Sequence, residues 1–265
     1  PSKKFSPDTP NMEFPFSVKP DKKLSLEDVM TIMRDKYQGT PYDPAEGMKG
    51  GPFGNPNYHP RALSVDGETY NMSRPISVNR AEYTTVTQSR SWLPDPIGGI
   101  VWLAFGAQDT SCFIPFYAGV TKIPKAFSIG DHWVFDRRSA RWAFDYVDFH
   151  TQVAYMYAIQ DVLKARERWE HGAVERTKAI DTAALALYSQ QSNLAVDFLT
   201  DYCNLNAEKI INAWWELGDM LLVKYNHLGQ YNAEKRRTSM LEYPEWWIRE
   251  LIKYHNLTPR KDRRH

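Results

Sequence analysis

Cysteine is scarce in these 265 residues, with only Cys112 and Cys203. Two are too few for a disulfide-rich scaffold or a four-cysteine zinc site. No apolar run approaches the ~20 residues that a membrane-spanning helix needs, so no membrane insertion is expected. The start, Pro1-Ser2-Lys3-Lys4-Phe5, has no apolar signal segment behind its charges. Either the protein is cytosolic or a targeting segment lay upstream. Excess charge is also missing. With 33 basic and 32 acidic residues the net charge is +1, and nothing demands nucleic acid or an anionic membrane as partner. The one basic run, Arg260 to His265, reads as a solvated terminus. A Gly-rich phosphate loop, a His-Glu-x-x-His pair and a Gly-x-Ser-x-Gly elbow are all absent. The seven histidines are dispersed with no pair at ligand spacing, so neither metal nor cofactor is expected.

Aromatic surface is abundant, at 14% of residues with nine Trp and fifteen Tyr, beside an ordinary 42% apolar and 25% charged. Side chains of this kind bury large areas and often line clefts. Two sequons, Asn71-Met72-Ser73 and Asn256-Leu257-Thr258, would accept glycan in a secreted protein. They tilt the expected compartment toward a secreted or lysosome-like one over the cytoplasm.

Residues 1–24 read as an extended arm, rich in Pro and Lys. Ser25 caps a helix from Leu26 to about Tyr37, with Glu27 and Asp28 in its positive first turn. Residues 38–75 are Pro- and Gly-rich but carry scattered aromatics, as an ordered loop wrapped on a core would. Tyr83–Gln88, Ile100–Phe105 and Cys112–Tyr117 read as three strands. The second is apolar throughout, consistent with cover on both faces, and Pro115 puts the third at an edge or bulge. From Ser139 to about Leu228 the pattern is helical. Trp142, Tyr146, Phe149, Val153 and Tyr157 recur at the spacing of one helix face, and Asn206 reads as a cap. Segregated strands and helices indicate an α+β fold. Residues 25–228 would form the main domain and 229–265 a docked tail segment.

Several residues invite a chemical reading. Cys112 could be a nucleophile, but a thiol inside an apolar strand is ordinarily an inert hydrophobe. Cys203 has no obvious base nearby, and a Cys112–Cys203 disulfide stays open. Asp145 and Asp148, with Asp136 upstream, have the spacing of an acid–base pair, although such a pair is ordinarily a solvated face. Arg74, Asn79, Arg80 and Glu82 cluster at the entry to the first strand, where Arg80 would be held by ladder bonds. A guanidinium there can hold a substrate carboxylate bidentately. The ordinary alternative is a surface salt bridge.

Four blocks then carry a resemblance: Arg34-Asp35-Lys36-Tyr37-Gln38-Gly39-Thr40-Pro41-Tyr42-Asp43; Arg74-Pro75-Ile76-Ser77-Val78-Asn79-Arg80 with Gln88-Ser89-Arg90; Ile100 to Gly106 with Ile114-Pro115-Phe116-Tyr117; and Trp142-Ala143-Phe144-Asp145. In this order, over roughly residues 25–228, they resemble the cysteine dipeptidases related to the secernins, within the N-terminal-nucleophile hydrolases. The resemblance implies part of a four-layer αββα sandwich of antiparallel sheets flanked by helices. It implies hydrolysis of dipeptides or other small amides through an acyl-enzyme. The nucleophile would be a Cys made N-terminal by processing, with its own α-amine as base.

This chain begins at Pro1 and would be the larger, C-terminal part, either cleaved from, encoded apart from, or lacking its Cys-first partner. A homo-oligomer of such heterodimers is conceivable. By rough motif matching, Arg80 would steady the nucleophile or bind the substrate carboxylate. Arg74 is the second candidate, and Asn79 a neighbouring donor to the oxyanion. Two other readings stay open: a non-enzymatic interaction protein that retains the scaffold, and a free-standing hydrolase using Cys112.

Overall fold

The computed structural model describes residues 16–59, 62–72 and 74–259. Helix α1 spans Leu26–Met33. Its start is a reciprocal capping box: the Asp28 N–H donates to Ser25 Oγ at 3.0 Å and the Ser25 N–H to Asp28 Oδ2 at 2.9 Å. The helix ends four residues before the expected Tyr37. Arg34 and Lys36 are drawn instead into tertiary contacts, and Tyr37 takes a left-handed backbone, φ 62°.

The stretch 38–75 is not loop throughout. It contains a hairpin, β1 (Ala62–Val65) and β2 (Glu68–Asn71), beyond a turn region that buries Phe53. A three-stranded antiparallel sheet follows: β3 (Tyr83–Ser89), β4 (Gly99–Phe105) and β5 (Ile114–Tyr117), in that spatial order. A single turn of helix, α2 (Asp95–Gly98), closes the β3–β4 hairpin. As an edge strand, β5 tolerates Pro115.

Side chains alternate across this sheet. Thr84 and Val86 of β3 and Ile100, Trp102 and Ala104 of β4 are buried. Cover on both faces of β4 is not found. Val101 is 37% exposed, and Tyr83, Thr85 and Thr87 beside it face solvent. The apolar composition of β4 tracks one buried face plus a partly bare one, which periodicity alone does not separate.

The helical half comprises α3 (Ala140–Val153), α4 (Tyr155–Arg166), a π-turn (Glu167–His171), α5 (Gly172–Gln190) and α6 (Ser192–Lys224). At 33 residues, α6 is about 50 Å long. It packs on α3, α5 and β5, and Phe144 of α3 meets its fully buried Trp214 at 5.3 Å between ring centroids. Asn206 lies buried inside α6 rather than capping it. The aromatic face expected to be core is also displaced. Ala140, Ala143, Phe144 and Val147 form the buried stripe of α3, while Phe149 is 67% exposed. Tyr146 and Phe135 stack on Trp215 at the surface instead. The small alanines let the helices approach closely, and the bulky rings take the rim.

Strands β6 (Gly229–Asn232) and β7 (Arg237–Met240) form a second hairpin, and helix α7 (Glu245–His255) follows. The segment between them docks: Leu241 is buried, and Tyr243 meets Phe53 at 4.9 Å. The fold is α+β, with antiparallel sheets flanked by helices. No described helix is long and apolar enough to cross a membrane.

Candidate active site

The candidate site is a turn clamped from below by a buried polar network. Ser77 is wholly buried. Its N–H donates to the Asp35 carbonyl at 3.0 Å, and its hydroxyl donates to Gln108 Oε1 at 3.1 Å and lies 3.4 Å from Asp109 Oδ1. Gln108 in turn donates from Nε2 to Thr84 Oγ1 at 2.8 Å, tying the turn to β3. On the other side the Tyr37 hydroxyl donates to the Arg74 carbonyl at 3.0 Å, and Asp35 Oδ1 accepts the Tyr37 N–H at 2.6 Å. These bonds hold Tyr37 in its left-handed conformation, which costs on the order of 1 kcal/mol or more for such a residue.

Arg74, Asn79 and Arg80 all stand exposed on this clamped segment. The three predicted residues lie within seven consecutive positions of that segment. Contrary to the expectation that Arg80 enters the first strand and is held by its ladder bonds, Arg80 sits in a turn three residues before β3. The β pattern begins at Tyr83, and Glu82 is held separately by Arg141. Neither Arg80 nor Asn79 makes a side-chain hydrogen bond or ion pair among the described residues. Both are displayed toward solvent from a rigid base.

Beneath the turn lie groups that sequence reasoning passed over. Lys36 Nζ sits 3.4 Å from Asp109 Oδ1, and the Tyr155 hydroxyl donates to Asp109 Oδ2 at 2.7 Å. Burial, with Asp109 beside it, pushes the Tyr155 phenol well above its ordinary range. Asp148 accepts from Thr110 Oγ1 at 2.8 Å and Gln152 Nε2 at 2.9 Å. Burial and the neighbouring Asp109 charge raise its carboxyl to about 7. Asp148 thus turns inward and is not on a solvated face. Asp145 pairs with Arg141 at 3.0 Å, and Arg138 holds Asp136 down to about 2. The three carboxylates face different partners and form no acid–base pair. Lys36 carried a legible signal, since it lies in the first of the quoted blocks. Asp109 carried none, because it reads as a turn residue.

A second junction ties β5 to the helices. Arg34 forks onto Glu170 at 2.8 and 2.6 Å, and Glu170 Oε2 also accepts the Phe113 N–H at 2.6 Å. Cys112 is fully buried beside it, and its nearest hydrogen-bonding contact is the Phe113 carbonyl at 3.8 Å. Burial and then Glu170 push this thiol well up, the reverse of what a nucleophile needs. Cys203 accepts the Tyr117 N–H at 3.5 Å, and burial raises it to about 11. Both cysteines are free, with no disulfide between them. Of the sequons, Ser73 and the Asn71 side chain lie outside what is described. Asn256 is exposed, in a left-handed cap at the end of α7. Among the described residues no group of His, Cys, Asp and Glu is arranged to hold a metal ion.

Comparison with known proteins finds dipeptidases. A Lactobacillus helveticus protein named dipeptidase A is 35% identical over 127 residues, 46% of this chain and 23% of that protein. A probable dipeptidase B of Lactococcus lactis is 30% identical over 122 residues, 46% of this chain and 22% of that protein. A probable dipeptidase of Latilactobacillus sakei is 27% identical over 184 residues, 66% and 34% respectively. The chain thus spans between about a fifth and a third of the length of these relatives. Residues 2–168 match the model of Peptidase family C69. That stretch is well over half of the sequence and contains the clamped turn with most of its buried network, and the chain belongs to Peptidase family C69.

Proposed function

We infer that the chain is the larger, C-terminal part of a cysteine-type dipeptidase of the secernin-like, N-terminal-nucleophile kind. Its nucleophilic Cys would lie on a polypeptide segment outside these residues. In this reading the Cys thiol gives its proton to its own α-amine and attacks the amide carbonyl. The C–N bond breaks, the amine product leaves with that proton, and water then hydrolyses the thioester. This chain would supply one wall of the cleft and the exposed sheet face on which a second sheet packs. Arg80 binds the dipeptide carboxylate or steadies the thiolate, Arg74 supports the same charge, and Asn79 donates to the oxyanion. The relatives' names support the substrate class.

One observation carries the assignment to Arg80. A guanidinium without an ion-pair partner among the described residues stands exposed on a turn whose base is fully buried. The decisive experiment is Arg80→Lys in the native protein, assayed on dipeptides, together with N-terminal sequencing of whatever co-purifies. The substitution should lower kcat/KM at least tenfold, about 1.4 kcal/mol of transition-state binding, at unchanged Tm. A partner chain beginning with Cys would support the enzyme. An assembly without dipeptide turnover would favour the interaction protein instead.

A further inference from the structure

Two adjoining cavities, of about 590 and 260 Å³, lie between α1 with the segment after it and the C-terminal half of α4. They share Arg34, Gln38, Leu163 and Arg166 as walls. The smaller is lined by three cations, Arg34, Lys36 and Arg166, and two carboxylates, Asp43 and Asp109. Most of this charge is already paired. Glu170 takes Arg34, and Asp109 takes Lys36. One charge of each sign remains.

Arg166 gives a single N–H to the Asp109 carbonyl at 3.1 Å and has no ion-pair partner among the described residues. Burial and the neighbouring Arg34 lower its proton affinity, as for a cation short of compensation. Its position is fixed, because it closes α4 immediately before the π-turn that sends Glu170 inward. The other four of the five N–H donors of the guanidinium have no protein acceptor among the described residues. Asp43 is equally fixed. Its two oxygens accept the Gly39 N–H at 3.0 Å and the Ala45 N–H at 2.8 Å, and no cation pairs with it among the described residues. The same cavity is also lined by apolar Ile159 and Leu163 of α4. The volume falls below the ~300 Å³ at which drug-sized pockets begin.

A fixed cation and a fixed carboxylate facing one small, partly apolar space complement a small zwitterion. We propose that this cavity binds a free α-amino acid, with its carboxylate on Arg166, its ammonium on Asp43 and its side chain against Ile159 and Leu163. The cavity shares Lys36, Asp109 and Tyr155 with the network beneath the turn that carries Arg80, but Arg74, Asn79 and Arg80 do not line it, and binding there does not require the protein to hydrolyse anything.

The test is calorimetric titration of the native protein with L-alanine and L-leucine, and with acetate, methylammonium and sulfate as single-charge probes. Each is repeated on Arg166→Gln and Asp43→Asn. The amino acids should bind saturably, at least tenfold more tightly than any single-charge probe, and each variant should weaken them at least tenfold. Absence of saturable amino-acid binding to the unaltered protein overturns the proposal. So does equal binding by both variants, or equal affinity for acetate or sulfate, which would make this a simple anion site. If Arg166→Gln does not fold, Asp43→Asn and the ligand series on the unaltered protein decide the matter. Absence of dipeptide turnover by the unaltered protein, with amino-acid binding intact, would count against the dipeptidase reading and leave this one standing.

Discussion

The Lys36 ammonium lies 3.4 Å from the Asp109 carboxylate, with the two side chains only 2% and 7% exposed. This buried pair joins the chain leaving α1 to the turn after β4, and Ser77 hangs the candidate site from it. Removing one partner strands the other charge in a poorly solvated place. Lys36→Met should therefore destabilise the native protein by about 3–5 kcal/mol in urea unfolding. The double variant Lys36→Met/Asp109→Asn should recover part of that loss. A single-variant cost below about 1 kcal/mol would mean that water or rearrangement already screens the pair.

Asp148 makes stability depend on pH in an unusual direction. Its folded carboxyl titrates at about 7 against an ordinary 3.8, raised by burial and then by Asp109. Between these values the folded state holds the proton and the unfolded state has lost it. Stability contributed by this group is present at low pH and is lost as pH rises toward 7. Every tenfold difference in proton affinity between the two states corresponds to about 1.4 kcal/mol. Asp148→Asn should remove this dependence and raise stability at pH 8 relative to pH 5. Parallel pH profiles for both proteins would show that Asp148 ionises freely.

Arg90 is anchored where Arg80 is displayed. From the far end of β3 it donates to the Ile97 carbonyl at 2.6 Å and the Gly98 carbonyl at 3.3 Å. It also pairs with Asp181 of α5, which accepts the Tyr117 hydroxyl at 2.8 Å. A lysine cannot reproduce that fork. Arg90→Lys should cost on the order of 2–3 kcal/mol, the scale of charged hydrogen bonds, and lower Tm. Arg80→Lys should leave Tm unchanged. If both substitutions leave Tm alone, the Arg90 junction contributes little.

Cys112 packs among Phe113, Ile114 and the Arg34–Glu170 fork, with its thiol raised. Cys112→Ala in the native protein should keep dipeptide turnover within a few-fold and cost about 1 kcal/mol. Abolished turnover with an unchanged circular dichroism spectrum would return the nucleophile to this chain.

Much of the framework was legible in residue order. The Ser25 cap, the three strands, the edge position of Pro115 and the helical half all follow from local rules: side-chain capping, β-branched content and the missing proline N–H. Helix boundaries followed less well. Arg34 and Lys36 have good helical propensity, yet the helix stops at Met33 because their charges find buried partners far along the chain. Aromatic spacing on α3 misled because period identifies a stripe without saying whether alanines or rings meet the neighbouring helix.

Local pattern and the quoted blocks by themselves determined the α+β class, the family resemblance and the clustering of Arg74, Asn79 and Arg80, since each rests on residues close in sequence. Only the tertiary structure decided which charges are buried. Lys36 meets Asp109 across 73 positions and Arg34 meets Glu170 across 136. A polar side chain's fate depends on whether folding brings a counter-charge within hydrogen-bond reach. That pairing left Arg80 displayed at the surface, anchored Arg90, and set Arg166 and Asp43 facing one cavity without ion-pair partners among the described residues.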